Sequence, residues 1–139
     1  MKMRLLGLDV GNKNIGIAVS DESKKIAIPL DVIDNSEEAG LKLKEITEKY
    51  NICKIVIGVP YTLRGEVGRQ AKEVLDFVER VVKKLGIDID YIDERFTTKI
   101  PLKEFHEHSK QRKIKKIDKF SAGIILDDYL KKNRGKLEK

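Results

Sequence analysis

The amino-acid sequence predicts an α/β protein built on one mixed, five-stranded sheet, and three observations carry that reading. Three β-rich runs follow one another within the first 33 residues with only short links between them, which favours antiparallel hairpins. The run Ile52–Val59, ICKIVIGV, is almost continuously apolar and β-branched, the composition of a strand covered on both faces. Stretches with helical spacing of apolar residues lie on either side of it. The order β-β-β-α-β-α-β-α then gives three antiparallel strands followed by an αβαβα unit, with the helices packed on the sheet.

The elements can be justified in turn. Arg4–Val10, RLLGLDV, is short and mostly apolar and reads as a buried strand; Gly11-Asn12-Lys13 is a turn; Asn14–Ser20, NIGIAVS, is the second strand. Lys25–Ile33 is the third, with Pro29 suiting an edge or a bulge. Next comes a helix. Asn35 or Ser36 can cap it, Glu37 and Glu38 suit its first turn, and Ala39, Leu43, Ile46 and Tyr50 share one face. After Ile52–Val59, the loop from Pro60 to Gly68 carries two glycines. Val67, Ala71, Val74, Leu75, Val78, Val82 and Leu85 then form a helical stripe stopped by Gly86. Ile87–Ile92 is the fifth strand, with Asp93–Thr98 at its carboxyl end. A helix is expected through Glu104, then a basic loop near Ser109–Lys116. The last helix is expected from about Ile117 to Lys131, apolar round much of its circumference and therefore largely buried. A basic tail, 133–139, is expected to fray.

The 139 residues suit one domain, 1–139, long enough for a core without disulfides or metal staples. Hydrophobic residues make up 40% and charged residues 37%, a globular chain with a densely charged surface. No apolar run approaches the roughly 18 residues of a membrane-spanning helix. The first residues run straight into a strand pattern, so no signal peptide is expected. The single Cys53 excludes a disulfide framework and a multi-cysteine zinc site, and reads as a small strand hydrophobe. His106 and His108 are too few for a His-rich metal site and read as surface residues. A reducing cytoplasm is the expected compartment. The net charge of +6 is unevenly placed. Residues 1–98 hold 16 basic and 17 acidic side chains; residues 99–139 hold 13 and 6. The whole positive excess sits in the last 41 residues, which points to a polyanion such as nucleic acid.

Three acidic positions stand out. Asp9 lies inside an apolar strand, where a carboxylate is costly unless paired or metal-bound. Glu94 lies just past the fifth strand, and Asp118 at the start of the final helix. The first and fifth strands can flank the central region with the last helix across their ends, which would bring the three to one edge of the sheet. Convergent carboxylates repel one another unless a cation neutralises them. One or two Mg²⁺ or Mn²⁺ ions, hard and oxygen-seeking, suit them and would serve phosphodiester hydrolysis. The plainer readings are a helix N-cap for Asp118 and an ion pair with Arg95 or a nearby Lys for Glu94. Lys13, Arg64 and Arg95 flank the site and could hold phosphates. Thr97 and Thr98 could bond a phosphate or cap a helix. Lys110, Arg112, Lys113, Lys115 and Lys116 read as a phosphate-gripping loop or as a solubilising run. Asp9–Gly16 also resembles the first phosphate loop of sugar-kinase and actin-like ATPases. Those proteins pair two such domains, and this length provides one.

Four segments in order resemble the YqgF (RuvX) family, relatives of Holliday junction resolvases with an RNase H-like fold. They are Asp9-Val10-Gly11 through Gly16-Ile17-Ala18-Val19-Ser20-Asp21; Ile57-Gly58-Val59-Pro60 with Gly65 and Gly68; Asp93-Glu94-Arg95-Phe96-Thr97-Thr98; and Ile117-Asp118 with Ala122, Ile125-Leu126 and Tyr129-Leu130. Asn14, Pro101 and Ser121 depart from the family pattern, and none removes a carboxylate. The resemblance implies an RNase H-like fold and a metal-binding triad of Asp9, Glu94 and Asp118. It implies nuclease action on structured nucleic acid, chiefly maturation of the 5′ end of pre-16S ribosomal RNA, with RNA favoured over branched DNA and ribosomal precursor particles as partners. The alternatives are Holliday junction resolution and a non-catalytic RNA-binding role in ribosome assembly. The sequence leaves the oligomeric state open.

Overall fold

The computed structural model describes residues 3–94 and 114–133, the side chains of 114–119 excepted. Strands β1 (Arg4–Val10), β2 (Asn14–Ser20), β3 (Ala27–Asp34), β4 (Ile52–Val59) and β5 (Asp88–Asp93) form one sheet in the order β3-β2-β1-β4-β5. β2 pairs antiparallel with both β1 and β3, whereas β4 pairs parallel with β1 and β5. The mixed five-stranded sheet expected from the sequence is therefore present, with β1 and β5 flanking β4. Helices α1 (Ala39–Lys49), α2 (Arg69–Arg80) and α3 (Ile114–Lys132) pack on it, and a 3₁₀ turn, Val82–Leu85, follows α2.

Alternation along the strands sorts the helices onto two faces. Leu6, Leu8, Ile55, Ile57 and Val59 point to one face and meet Leu43 of α1 with Ala71, Val74, Phe77 and Val78 of α2. Leu5, Val56 and Ile92 point to the other and meet Ala122, Ile125, Leu126 and Tyr129 of α3. α3 lies close against the sheet because β1 offers it a glycine. A Cβ on Gly7 would stand 2.8 Å from Leu126 Cβ and 3.2 Å from the Ala122 carbonyl oxygen. Cys53 is half-buried against the α3 cluster, in keeping with a small strand hydrophobe.

Arg4–Val10, Asn14–Ser20 and Ile52–Val59 have the bounds expected of them, while the remaining elements differ at their ends. β3 begins at Ala27, and β5 is displaced by one residue to Asp88–Asp93. α1 has no side-chain cap: Asn35 and Ser36 precede it, and Glu38 occupies the capping position. Val67 lies outside α2 and is 55% exposed, because extended Gly68 (φ −84, ψ −167) marks the helix entry. The stripe expected to run to Leu85 breaks at Val81 (φ −120, ψ −57). Two adjacent β-branched residues, Val81 and Val82, fit a continuous helix poorly. The 3₁₀ turn still buries Val82, and Gly86 ends it at φ +71, a conformation that favours glycine. α3 starts at Ile114, three residues before the expected start, since nothing in Ile114-Lys115-Lys116 breaks a helix. Lys115 and Lys116 are thus helical residues, not loop residues. Asp118 lies within the helix rather than at its mouth, which removes the capping explanation. The helix expected through Glu104, the remainder of the basic loop and the tail after 133 lie outside the described residues.

Candidate metal and nucleic-acid site

The carboxyl ends of β1, β4 and β5 form one edge of the sheet, and the site is assembled there. Asp9 is the next-to-last residue of β1 and pairs with Gly16 of β2. Leu8 pairs with Ile57, which sets Gly58 of β4 level with Asp9. Gly58 in turn pairs with Ile92 of β5, two residues before Glu94. A whole strand therefore separates the backbones of Asp9 and Glu94. Glycine at the crossing point closes the gap. A Cβ on Gly58 would lie 2.5 Å from Glu94 Oε1, 3.0 Å from Glu94 Cγ and 2.6 Å from Ile125 Cδ1. The side chain of Glu94 occupies the space that any other residue at position 58 would fill.

The electrostatics register the same proximity. Glu94 is half-buried, and its carboxyl is raised from an ordinary 4.5 to about 7, first by burial, then by the negative charge of Asp9, then by that of Asp93. Bringing like charges together in a partly dry edge penalises ionisation, and a bound cation relieves that penalty. The oxygen-only donor set fits a hard divalent ion such as Mg²⁺ or Mn²⁺. Among the described residues, no three His, Cys, Asp or Glu side chains cluster closely enough to hold a metal; Asp9 and Glu94 are the pair that the described side chains bring together. Asp118 stands one helical turn before Ala122. Ile125 lies over Gly58, and Tyr129 donates to Asp90 Oδ2 (2.6 Å) lower on β5. The course of α3 therefore carries its N-terminal turns toward the Asp9 edge.

A cavity of about 760 Å³ opens on this edge, lined by Asp9, Gly11, Asn12 and Glu94, by Asn35 and Pro60, and by Gln70 and Glu73 of α2. Lys13 is exposed on the β1–β2 turn beside it. Arg64 is exposed on the loop that begins with Pro60. That loop is closed by Gly65 N–H donating to the Thr62 carbonyl (2.8 Å) and Thr62 N–H donating to that of Glu66 (3.0 Å), with Gly65 at φ +85. Arg95, Thr97, Thr98, Lys110, Arg112 and Lys113 lie outside the described residues, as do the side chains of Lys115, Lys116 and Asp118. Asp21, part of the first family segment, sits at the opposite end of the sheet. Slight burial opposes its ionisation, but the Ser23 hydroxyl and the amides of Ile26 and Lys25 hold its carboxyl at about 2. It anchors the β2–β3 turn and does not belong to the site.

Two features of the site carry no local sequence signal of their role. Gly58 is conspicuous as a glycine inside an apolar strand, which marks a close approach, but the approaching group is visible only through the register. Asn35 suits a helix cap by type, yet α1 begins only at Ala39, and the Asn35 Nδ2 donates to the Gly11 carbonyl.

This geometry can be set beside known proteins. A family model described as "RuvX: Holliday junction resolvase" matches residues 3–132. The chain belongs to the RuvX family. A relative from Sulfurihydrogenibium sp. is 44% identical over 129 residues, covering 91% of this chain and 89% of its own. One from Caldanaerobacter subterraneus is 40% identical over 133 residues, covering 92% and 96%. Both carry the name "Putative pre-16S rRNA nuclease". Among solved structures, Thermus thermophilus RuvC in complex with a Holliday junction substrate superposes with a TM-score of 0.57 at 13% identity, covering 96% of each chain. Fowlpox virus resolvase, also solved with junction DNA, gives 0.51 at 10% identity over 94% and 98%. At those identities the likeness is one of fold: the RuvX chain has the RNase H-like resolvase architecture.

The glycine at the crossing point makes a direct prediction. Gly58→Ala should displace Glu94, weakening Mn²⁺ binding by at least about tenfold, and should cost about 1–3 kcal/mol of stability through overpacking against Ile125. Titration calorimetry and a thermal melt measure the two effects. Parental Mn²⁺ affinity in the alanine variant would show that Glu94 takes no part in binding.

Proposed function

We propose that this RuvX-family chain is a divalent-metal-dependent nuclease of structured nucleic acid whose substrate is the 5′ end of pre-16S ribosomal RNA. The carrying observation is the pair Asp9 and Glu94, held together across Gly58 at the carboxyl edge of an RNase H-like sheet. The relatives' shared name supports the RNA substrate. Under this reading 1–139 is one nuclease domain. Asp9, Glu94 and Asp118 hold one or two Mg²⁺ or Mn²⁺ ions, which when bound supply activation of water near neutral pH and charge stabilisation at the departing oxygen. The protein's own part is to align the scissile phosphate with those carboxylates. Phosphate is repelled by Asp9 and Glu94, so its contacts come from cations and hydroxyls around them. Lys13 and Arg64 stand on exposed turns at this edge, and Arg95, Thr97, Thr98, Lys110, Arg112, Lys113, Lys115 and Lys116 complete the set. No helix among the described residues is long and apolar enough to cross a membrane. Action in the cytoplasm on ribosomal precursor particles follows from the RNA substrate.

The test is to incubate purified protein with RNA spanning the 16S 5′ precursor junction and, separately, with a four-way DNA junction, in Mg²⁺, Mn²⁺ or EDTA, and to sequence the products. Cleavage of the RNA at defined positions, abolished by EDTA, is the expected result. Cleavage of the DNA junction alone would overturn the RNA assignment. Cutting of neither would remove the nuclease reading in favour of a non-catalytic binder.

A further inference from the structure

Resting on the nucleic-acid reading above, we infer that Asn35 is a positioning residue, which holds the β1–β2 turn so that Lys13 is presented to a phosphate of the bound strand. Asn35 belongs to the β3–α1 junction, 22 residues beyond Lys13 in the chain, and is joined to the turn by two bonds. Its backbone N–H donates to the Lys13 carbonyl at 2.8 Å. Its side-chain Nδ2 donates to the Gly11 carbonyl at 2.8 Å. One residue therefore takes the two carbonyls that bracket Asn12, while Gly11 N–H closes the turn from within onto the Asn14 carbonyl at 2.9 Å.

The backbone bond extends the β2–β3 ladder, in which Asn14 already pairs with Asp34. The side-chain bond is additional. α1 makes no use of that amide, since the helix begins at Ala39 without a side-chain cap, and the nearby Ser36 hydroxyl accepts instead from Glu38 N–H at 3.3 Å. Asn35, Gly11 and Asn12 line the same cavity as Asp9 and Glu94, so the clasp acts at the mouth of the site. An exposed turn that includes a glycine would otherwise be ordered only on binding, at a conformational cost set against affinity. Held in advance by Asn35, the turn meets the strand with that cost already met by folding. Asp9 itself is fixed independently through its ladder pairing with Gly16. Loss of the clasp should therefore weaken nucleic-acid binding without weakening divalent-ion binding.

The experiment measures binding of a fluorescent RNA hairpin in EDTA, where no cleavage occurs, to the parent, Asn35→Leu, Lys13→Ala and the double variant. Leu has nearly the shape of Asn but no donor; Asn35→Ala provides the same comparison should the leucine variant fold poorly. Mn²⁺ affinity and thermal melts are recorded alongside. We expect each single substitution to weaken binding by about three- to tenfold, the scale of one hydrogen bond or one exposed phosphate contact. The double variant should bind no worse than Lys13→Ala alone, because a residue that acts through Lys13 has nothing left to position. Mn²⁺ affinity should match the parent in Asn35→Leu. Parental RNA affinity in both Asn35 variants, or losses that multiply in the double variant, would overturn the inference while leaving the nuclease reading intact. A parent that does not bind the hairpin at all would instead remove the nucleic-acid reading, and this inference with it.

Discussion

Asp9→Asn should lower Mg²⁺- or Mn²⁺-supported cleavage by several orders of magnitude while leaving RNA binding intact. The substitution keeps the shape of the side chain and removes one negative charge from the edge where Asp9 and Glu94 meet. Divalent affinity falls with that charge, and with it the activation of water and the stabilisation of the departing oxygen, two contributions that fail together. With phosphate contacts proposed to come from Lys and Arg rather than from Asp9, affinity for a hairpin should be unchanged or slightly higher as repulsion eases. Cleavage rates and anisotropy titrations on one preparation separate the two effects. Cleavage by Asp9→Asn at the parental rate would sink the assignment of Asp9. Loss of binding together with cleavage would mean that Asp9 orders the fold rather than the chemistry.

Much of this site is legible in the sequence because its departures from pattern are local. Asp9 is a carboxylate in an apolar strand, and Ile52–Val59 has the composition of a doubly covered strand, which it is. Glu94 is marked by its place beyond the fifth strand. What the sequence does not reveal is long-range register. The first and fifth strands do flank the central strand, β4, but the register that sets Gly58 between Asp9 and Glu94, and so lets the Glu94 side chain reach across, is not written in either strand. The cap expected of Asn35 or Ser36 fails because α1 begins only at Ala39, with Glu38 in the capping position; the Asn35 Nδ2 donates instead to the Gly11 carbonyl, 24 residues away in the chain. Val67 shows the limit of periodicity. It continues the apolar stripe of α2 in sequence, but the extended conformation at Gly68 detaches it from the helix.

Glu94→Gln in EDTA should melt at the parental temperature below about pH 4 and several degrees above it near pH 8. The Glu94 carboxyl stands at about 7 in the folded protein against an ordinary 4.5, pushed up by burial and then by Asp9 and Asp93. Between those two values the folded state binds more protons than the unfolded one, so stability falls as pH rises through that window. Well below pH 4.5 the folded and unfolded carboxyls are both protonated and the penalty vanishes. Above about pH 7 it is fully present, and a shift of this size corresponds to a cost of about 3 kcal/mol. Gln carries no charge at either pH and escapes it. Adding Mn²⁺ at pH 8 should reverse the order: the parent gains the linkage stabilisation of a ligand that binds only the folded state, and the glutamine variant gains little. The apparent Mn²⁺ affinity of the parent should also climb between pH 6 and pH 8, because binding must displace the Glu94 proton. Differential scanning calorimetry over that pH range, with and without Mn²⁺, reads all of this from two proteins. A Glu94→Gln variant less stable than its parent at every pH in EDTA would identify Glu94 as the satisfied partner of an ordinary ion pair. Its raised carboxyl would then be no sign of a cation site.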